Sequence, residues 1–181
     1  MTIIKTNLDG LLLIQPKIFE DIRGYFFESY NMLNFQKNGI DTMFVQDNQS
    51  LSCKGTLRGL HFQSPPFAQV KLVRVIIGSI LDVAVDIRKE SRTYGEYYST
   101  VLTGKNKNML YIPEGFAHGF LALENDTVIQ YKCSDVYNKE SEGGLIWNDP
   151  DVNIDWGLDF APIISEKDKL GVLLKELKSP F

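Results

Sequence analysis

The sequence predicts a mainly β fold, a sandwich or barrel built from short strands. Three observations support this prediction. Apolar and polar residues alternate with period two over many short runs. Turn residues such as Asp9-Gly10, Lys54-Gly55 and Glu124 to Asp126 separate these runs, at the spacing of about 8–12 residues that is typical of all-β domains. Helix signals are confined to two short segments.

Nine runs are predicted to be strands. Lys71 to Ile77 and Ile80 to Arg88 form a hairpin around the turn Gly78-Ser79. In the second of these strands Asp82 and Asp86 alternate with apolar residues, which indicates a strand with one buried face. The other runs are Leu11 to Ile14, Tyr25 to Glu28, Thr42 to Gln46, Tyr97 to Leu102, Met109 to Ile112, Gly119 to Leu123 and Thr127 to Tyr131.

Two segments carry helix signals. Asn31 to Asn38, followed by Gly39, is typical of a two-turn helix that ends at a glycine. Ser165 to Asp168 matches a capping box before leucines spaced i, i+3, i+4 and i+7, so we expect a short amphipathic helix there. Gly143 to Gly157 is predicted to be a packed loop because it contains both tryptophans. No repeat or linker is present, and residues 1–181 are expected to form one domain.

Composition argues against several classes of protein. The 19 basic and 23 acidic residues give a net charge of −4, whereas nucleic-acid binding needs a basic face. No apolar run approaches the ~20 residues that span a bilayer, and residues 1–12 lack the apolar segment of a signal peptide. Cys53 and Cys133 are expected to be free thiols, one of them in the core. We therefore expect a soluble, cytoplasmic protein without nucleic-acid or membrane partners.

The segment Arg58 to Gln63 contains His61, one of only two histidines. On a strand, Arg58 and Leu60 would face one side, and Gly59 and His61 the other. A glycine beside a histidine leaves room for a ligand to approach the backbone. Taken alone, however, a single histidine is more often structural.

The segment Pro113-x-Gly115-x-x-His118 has the spacing of the second cupin motif. It refines the fold prediction to a cupin-type jelly roll, or double-stranded β-helix, with a few short helices. In many cupins this histidine binds a metal, but the first motif would need His-x-His where this chain has His61-x-Gln63. Metal sites usually need three His, Cys or carboxylate ligands. We therefore expect no metal, and without a GxGxxG segment no nicotinamide or other cofactor.

The chain resembles the dTDP-4-dehydrorhamnose 3,5-epimerase family of cupin-fold sugar-nucleotide epimerases over nearly its whole length. The motifs that carry the resemblance follow one another in a fixed order. They are Phe19-x-Asp21-x-Arg23-Gly24, Phe27-Glu28-Ser29, Val45 to Asn48, Leu57 to His61, Lys71 to Arg74, Val85 to Arg88, Ile112 to Phe120, Tyr131-Lys132, Trp147 to Pro150 and Ser165-x-Lys167-Asp168.

The resemblance implies inversion at C3 and C5 of dTDP-4-dehydro-6-deoxy-D-glucose to give dTDP-4-dehydro-L-rhamnose, a step of rhamnose biosynthesis. Both carbons flank the 4-keto group, so their hydrogens can be removed if the enolate is stabilised. Inversion then needs a base on one face, an acid on the other and a positive group near O4. Two alternatives stay open: a mono-epimerase that inverts C3 or C5 only on a related nucleotide sugar, and a cupin that binds a sugar nucleotide without catalysis.

Four catalytic roles follow from the resemblance. His61 is the base, Asp168 orients it, Lys71 stabilises the enolate and Tyr131 is the acid. Each also has a structural interpretation: Asp168 fits the third position of a capping box, Lys71 a strand-end lysine and Tyr131 a half-buried sheet residue. Their occurrence together in one framework favours the catalytic interpretation.

The resemblance also implies a substrate-binding set of cations for the diphosphate, polar groups near the base and sugar, and an aromatic ring that stacks on the thymine. The set is Arg23, Glu28, Gln46, Asp47, Asn48, Arg58, His118, Tyr137, Glu142 and Lys167. Asp47 would repel a diphosphate unless its charge is paired. The family forms homodimers, and we expect the same here because a jelly roll leaves edge strands that need cover.

Overall fold

The computed structural model describes residues 1–181 as thirteen strands, one α-helix and three short 3-10 helices. The strands are β1 (Thr2–Lys5), β2 (Leu12–Gln15), β3 (Phe19–Asp21), β4 (Gly24–Phe26), β5 (Gln46–Ser52), β6 (Leu57–Gln63), β7 (Lys71–Ile77), β8 (Ser79–Asp86), β9 (Tyr97–Thr103), β10 (Met109–Ile112), β11 (Phe116–Ala122), β12 (Thr127–Cys133) and β13 (Glu142–Gly144). The helix α1 spans Met32–Lys37, and the 3-10 helices span Lys139–Ser141, Asp168–Leu170 and Leu174–Glu176.

Two antiparallel sheets face each other. The first has the strand order β1-β2-β10-β7-β12-β5 and the second the order β13-β6-β11-β8-β9, while β3 and β4 form a separate hairpin. Apolar residues from both sheets meet between them, among them Val73 and Leu110 from the first sheet and Ile80 and Phe120 from the second. The sandwich confirms the prediction of a mainly β, cupin-type jelly roll.

Both faces of the second sheet are covered, so the prediction of a single buried face for β8 is wrong. Val83 and Val85 pack outward against Trp156 and the C-terminal segment. Asp82 and Asp86 point the opposite way, between the sheets, and are fully buried. Both faces of β8 are therefore buried. The acidic face lies between the sheets, and the chain's own C-terminal segment shields the apolar face from water.

The predicted helix is confirmed as α1. The side chain of Asn31 accepts a hydrogen bond from the Asn34 backbone N–H at 3.2 Å, and Gly39 beyond the end has φ +81°. Phe35 of α1 is buried against the outer face of the first sheet. No helix in the structure is long and apolar enough to cross a membrane.

One predicted strand is misplaced, and several very short strands are not among the predicted runs. The run Thr42 to Gln46 is irregular except at its end, and the strand is Gln46–Ser52 instead. This strand is almost entirely polar because one face borders a cavity and the other faces solvent, so it lacks apolar alternation. Strands such as β1, β3 and β13 have three or four residues, too few for a detectable period.

The predicted C-terminal helix does not form. Half of the capping box exists, since the Asp168 backbone N–H donates to Ser165 Oγ at 3.1 Å. The Asp168 carboxylate, however, turns to His61, and Val172 runs parallel to Leu145 in a β-bridge. Only single 3-10 turns remain, because contacts with the second sheet outweigh local helix propensity.

A buried network at the end of β8 fixes the loop that follows it. Asp86 accepts hydrogen bonds from the Arg88 guanidinium at 2.7 and 2.9 Å, from Ser91 Oγ at 2.6 Å and from Thr93 Oγ1 at 2.7 Å. Burial acts to raise the pKa of Asp86, but these hydrogen bonds outweigh it and lower the pKa to about 2. The ionised carboxylate is thus strongly favoured in the folded state.

We predict that Asp86→Asn destabilises the fold by about 2 kcal/mol, since it removes the charged partner of the half-buried Arg88, whose side chain is 26% exposed. The folded-state pKa lies below the unfolded value, so the stability from Asp86 is present above about pH 4 and is lost as pH falls toward 2. Urea unfolding between pH 2.5 and 7 measures this effect. The free energy of unfolding of the wild type should fall on acidification by more than that of the variant. Parallel curves for the two proteins would contradict the assignment.

Candidate active site

A cavity of about 710 Å³ opens between the two sheets. It is walled by residues of β5, β6, β7, β11 and β12 and by the segment 163–168. All four residues predicted to be catalytic line it, together with three of the predicted binding residues. These seven are His61, Lys71, Tyr131, Asp168, Arg58, His118 and Lys167.

His61 and Asp168 form a close pair at the base of the cavity. His61 Nε2 lies 2.6 Å from Asp168 Oδ1, and Asp168 Oδ2 accepts the Gly59 backbone N–H at 3.4 Å. Burial acts to raise the pKa of Asp168, but hydrogen bonds from His61, Gly59 and Ser165 leave the pKa below its usual value. Asp168 is therefore a carboxylate that accepts Nε2–H, and the ring nitrogen Nδ1 keeps its lone pair.

A β-bulge in β6 places Arg58 and His61 on the same cavity. His61 pairs with His118 and Arg58 pairs with Phe120, so two residues of β6 face one of β11. The prediction that Arg58 and His61 face opposite sides is wrong because of this extra residue. Gly59 does not leave room for a ligand: a Cβ there would lie 2.5 Å from the Gly119 Cα, so the close approach is between strands.

Lys71 begins β7 and enters the cavity instead of solvent. Its Nζ donates to the His61 carbonyl oxygen at 3.3 Å. Burial lowers the pKa of Lys71, while the nearby Cys133 and Asp82 act to raise it. The ammonium group is thus shielded from water, and in such surroundings its charge acts more strongly on a bound oxyanion.

Tyr131 approaches the cavity from the opposite sheet to His61. It belongs to β12 of the first sheet, while His61 belongs to β6 of the second. Burial raises the pKa of Tyr131, so the phenol keeps its proton near neutral pH. The two sheets therefore present a base and a proton donor from opposing walls.

Lys167, which lines the cavity, belongs to a hydrogen-bonded network with four more of the predicted binding residues. Glu142 contacts Lys167 Nζ and accepts the Tyr137 hydroxyl proton at 3.0 Å. Burial acts to raise the pKa of Glu142, but its bonds to Lys167 and Tyr137 lower it overall. Gln46 accepts the Tyr137 backbone N–H at 3.0 Å, and its amide donates to Asn48 at 3.1 Å. These residues form one connected polar edge.

Three predicted residues are not brought to the cavity by the single chain. The Arg23 side chain is 85% exposed in the β3–β4 turn and pairs with Asp21 at 2.5 Å. Glu28 accepts hydrogen bonds from Asn31 and Asn34 beside α1. Asp47 points to the outer face of β5 and pairs with Lys132 at 2.8 Å.

Sequence reasoning missed two polar groups in this region. Asp82 is bonded to His118 at 2.7 Å, and the Cys133 thiol receives the Asn48 amide at 3.6 Å near Lys71. Alternation along β8 places Asp82 on the side opposite the apolar residues, so the sequence carries no signal of its contact with His118. No three His, Cys, Asp or Glu side chains converge as they would in a metal site.

Comparison with known proteins places the chain in one family. The family model described as dTDP-4-dehydrorhamnose 3,5-epimerase matches residues 5–176. An enzyme of that name from Methanothermobacter thermautotrophicus is 52% identical over 96% of this chain and 94% of its own.

Solved structures agree with the family model. One is a dTDP-6-deoxy-D-glucose-3,5-epimerase from Legionella pneumophila in complex with dTDP-4-keto-L-rhamnose, 46% identical with a TM-score of 0.94, covering 98% of this chain and 94% of that one. Another is a dTDP-4-dehydrorhamnose 3,5-epimerase from Elizabethkingia anophelis, 47% identical with a TM-score of 0.93, covering 99% and 98%. The chain belongs to the dTDP-4-dehydrorhamnose 3,5-epimerase family.

Proposed function

We propose that this protein is an isomerase that converts dTDP-4-dehydro-6-deoxy-D-glucose to dTDP-4-dehydro-L-rhamnose by inverting C3 and C5. The observation that carries the proposal is the placement of His61 and Tyr131 on opposing walls of one cavity that also holds Lys71. Relatives that share about half of the residues are named for this reaction, and a dTDP-sugar occupies the related Legionella structure.

The base in the proposed reaction is His61. With Nε2–H donated to Asp168 at 2.6 Å, Nδ1 is the nitrogen that can take a proton from C3 or C5. The Asp168 charge then stabilises the imidazolium that results, as in other His–Asp pairs. A base held in this way contributes about 10²–10⁴ in rate.

Lys71 and Tyr131 complete the two-step exchange. When the proton leaves carbon, negative charge develops on O4, and the buried ammonium group of Lys71 lies inside the cavity, where it can stabilise that charge. Tyr131, still protonated because burial raises its pKa, returns a proton from the other sheet. Removal from one face and return to the other inverts the carbon.

The nucleotide is proposed to lie along the cavity rim. Arg58 donates only to neutral acceptors, Ser52 Oγ and the Leu51 carbonyl, at 3.2 Å each. Its charge is therefore free for a diphosphate, and its planar fork suits phosphate oxygens. Lys167 can exchange its contact with Glu142 for a phosphate, and the exposed Tyr137 ring offers a stacking surface for the base.

A homodimer would supply the binding residues that the single chain leaves distant. The β3–β4 hairpin pairs with no other strand and exposes Phe19, Tyr25 and Phe26. A two-stranded ribbon with exposed aromatic rings is marginal alone and needs cover. We propose that it packs on a second copy and presents Arg23 to the partner's cavity.

In D₂O, the wild-type enzyme is expected to exchange both C3–H and C5–H of the 4-keto sugar for deuterium. His61→Asn should abolish both exchanges, because the other histidine on that wall, His118, is only 8% exposed and burial lowers its pKa, which makes it the weaker base. Proton NMR of the sugar resolves the two positions. Exchange at a single position would favour the mono-epimerase, no exchange by the wild type would favour a binding protein, and exchange by the variant would remove His61 from the role of base.

The shared site can be tested by mixing two inactive variants. In a heterodimer of Arg23→Ala and His61→Asn chains, the cavity of the first chain receives an intact Arg23 from the second. We expect co-expression to restore about a quarter of the wild-type sites, as random pairing of two chains gives. The matched control pairs His61→Asn with Asp168→Asn, whose two residues belong to one cavity, and should restore nothing. Equal failure of both pairs would contradict the shared site.

A further inference from the structure

Asp82 is a buried carboxylate with one oxygen unused. It lies on the inward face of β8 and is fully buried. Its Oδ1 is 2.7 Å from His118 Nε2, whereas Oδ2 is enclosed and has no hydrogen-bond partner. An unpaired carboxylate oxygen inside a protein is costly and calls for a specific reason.

His118 connects Asp82 to the cavity. Its side chain is 8% exposed, lines the cavity, and makes a single side-chain hydrogen bond, through Nε2. Burial lowers the pKa of His118 despite the opposing charge of Asp82, so the ring is neutral near pH 7. With Nε2–H given to Asp82, Nδ1 is an acceptor without a protein partner.

Lys71 reaches the same layer of the cavity as His118: its Nζ is 3.3 Å from the His61 carbonyl oxygen, and His61 pairs with His118 across β6 and β11. The titratable and charged groups around Lys71 are Asp82 on β8, Cys133 on β12, Glu142 on β13, Lys167 in the C-terminal segment, and the two histidines. Burial raises the pKa of Cys133 and keeps the thiol neutral. Glu142 is already engaged with Lys167 and Tyr137. Asp82, by contrast, contacts no lysine or arginine, and its Oδ2 has no partner.

We propose that Asp82 is a positioning residue of this site: Oδ1 fixes the ring of His118, and the free Oδ2 places negative charge near the Lys71 ammonium group without contacting it. The inference rests on the role proposed above for Lys71 at the enolate oxygen. One carboxylate then performs two tasks. It opposes the fall in the Lys71 pKa that burial causes, and it selects the neutral histidine tautomer that offers Nδ1 to a substrate hydroxyl group.

The first test compares Asp82→Asn with Asp86→Asn. Both residues are buried on the same face of β8, but Asp86 serves the Arg88 network away from the cavity. In Asp82→Asn, kcat should fall by about 10²-fold, as when an oxyanion-stabilising group is lost, with KM little changed. The alkaline limb of kcat should move to lower pH, because the Lys71 pKa falls further without the nearby negative charge.

Asp86→Asn should lower stability while the limb stays in place. If folded Asp82→Asn keeps the wild-type kcat and the wild-type alkaline limb, the proposal is overturned. An equal shift of the alkaline limb in both variants would overturn it too. If the wild-type enzyme itself shows no C3 or C5 exchange, the proposed function fails instead, and the assignment of Asp82 is then decided by the tautomer of His118.

That second measurement needs neither a folded Asp82 variant nor activity. The chain has two histidines, so ¹⁵N-imidazole spectra of the wild-type protein and of His61→Asn assign both rings. His118 should appear as the neutral Nε2–H tautomer near pH 7, with Nδ1 unprotonated. A His118 imidazolium or an Nδ1–H tautomer at that pH would overturn the proposal.

Discussion

The hydrogen bond between His61 and Asp168 joins strand β6 of the second sheet to the C-terminal segment, and the cavity depends on it. A hydrogen bond to a charged group contributes about 1.5–3 kcal/mol, enough to hold a segment that has only single helical turns. The same segment covers the outer face of β8. Docking of the chain end therefore closes the apolar cluster and completes the His61–Asp168 pair in one event.

Most of the sheet framework could be predicted from the sequence because apolar and polar residues alternate along most strands and turn residues mark their ends. The hairpin β7–β8, strand β10 and helix α1 fall within a residue or two of their predicted bounds. The failures have a common cause in tertiary contacts. Polar β5 borders the cavity, the acidic face of β8 turns inward, and the capping box at Ser165 gives its carboxylate to His61 instead of a helix.

The site also combines features that the sequence predicted with features that only tertiary contacts determine. Spacing alone favoured structural interpretations for Lys71, Tyr131 and Asp168, and only the resemblance assigned them to one place, where the structure puts them. The bulge opposite Gly119 could not be inferred from alternation, so the common orientation of Arg58 and His61 was missed. Arg23 and Glu28 lie outside the cavity of one chain, held by local contacts with Asp21 and with α1. Their spacing in the sequence did not indicate this placement.

The central claim is that base and acid act from opposite walls, and isotope exchange in Tyr131→Phe tests it most directly. The variant keeps the ring's packing but removes the proton donor. Deuterium should still enter C3 and C5 through His61, while inversion falls by about 10²–10⁴, the usual contribution of a positioned acid. Unimpaired inversion, or loss of exchange and inversion together in a folded variant that still binds dTDP, would contradict the assignment of the two walls.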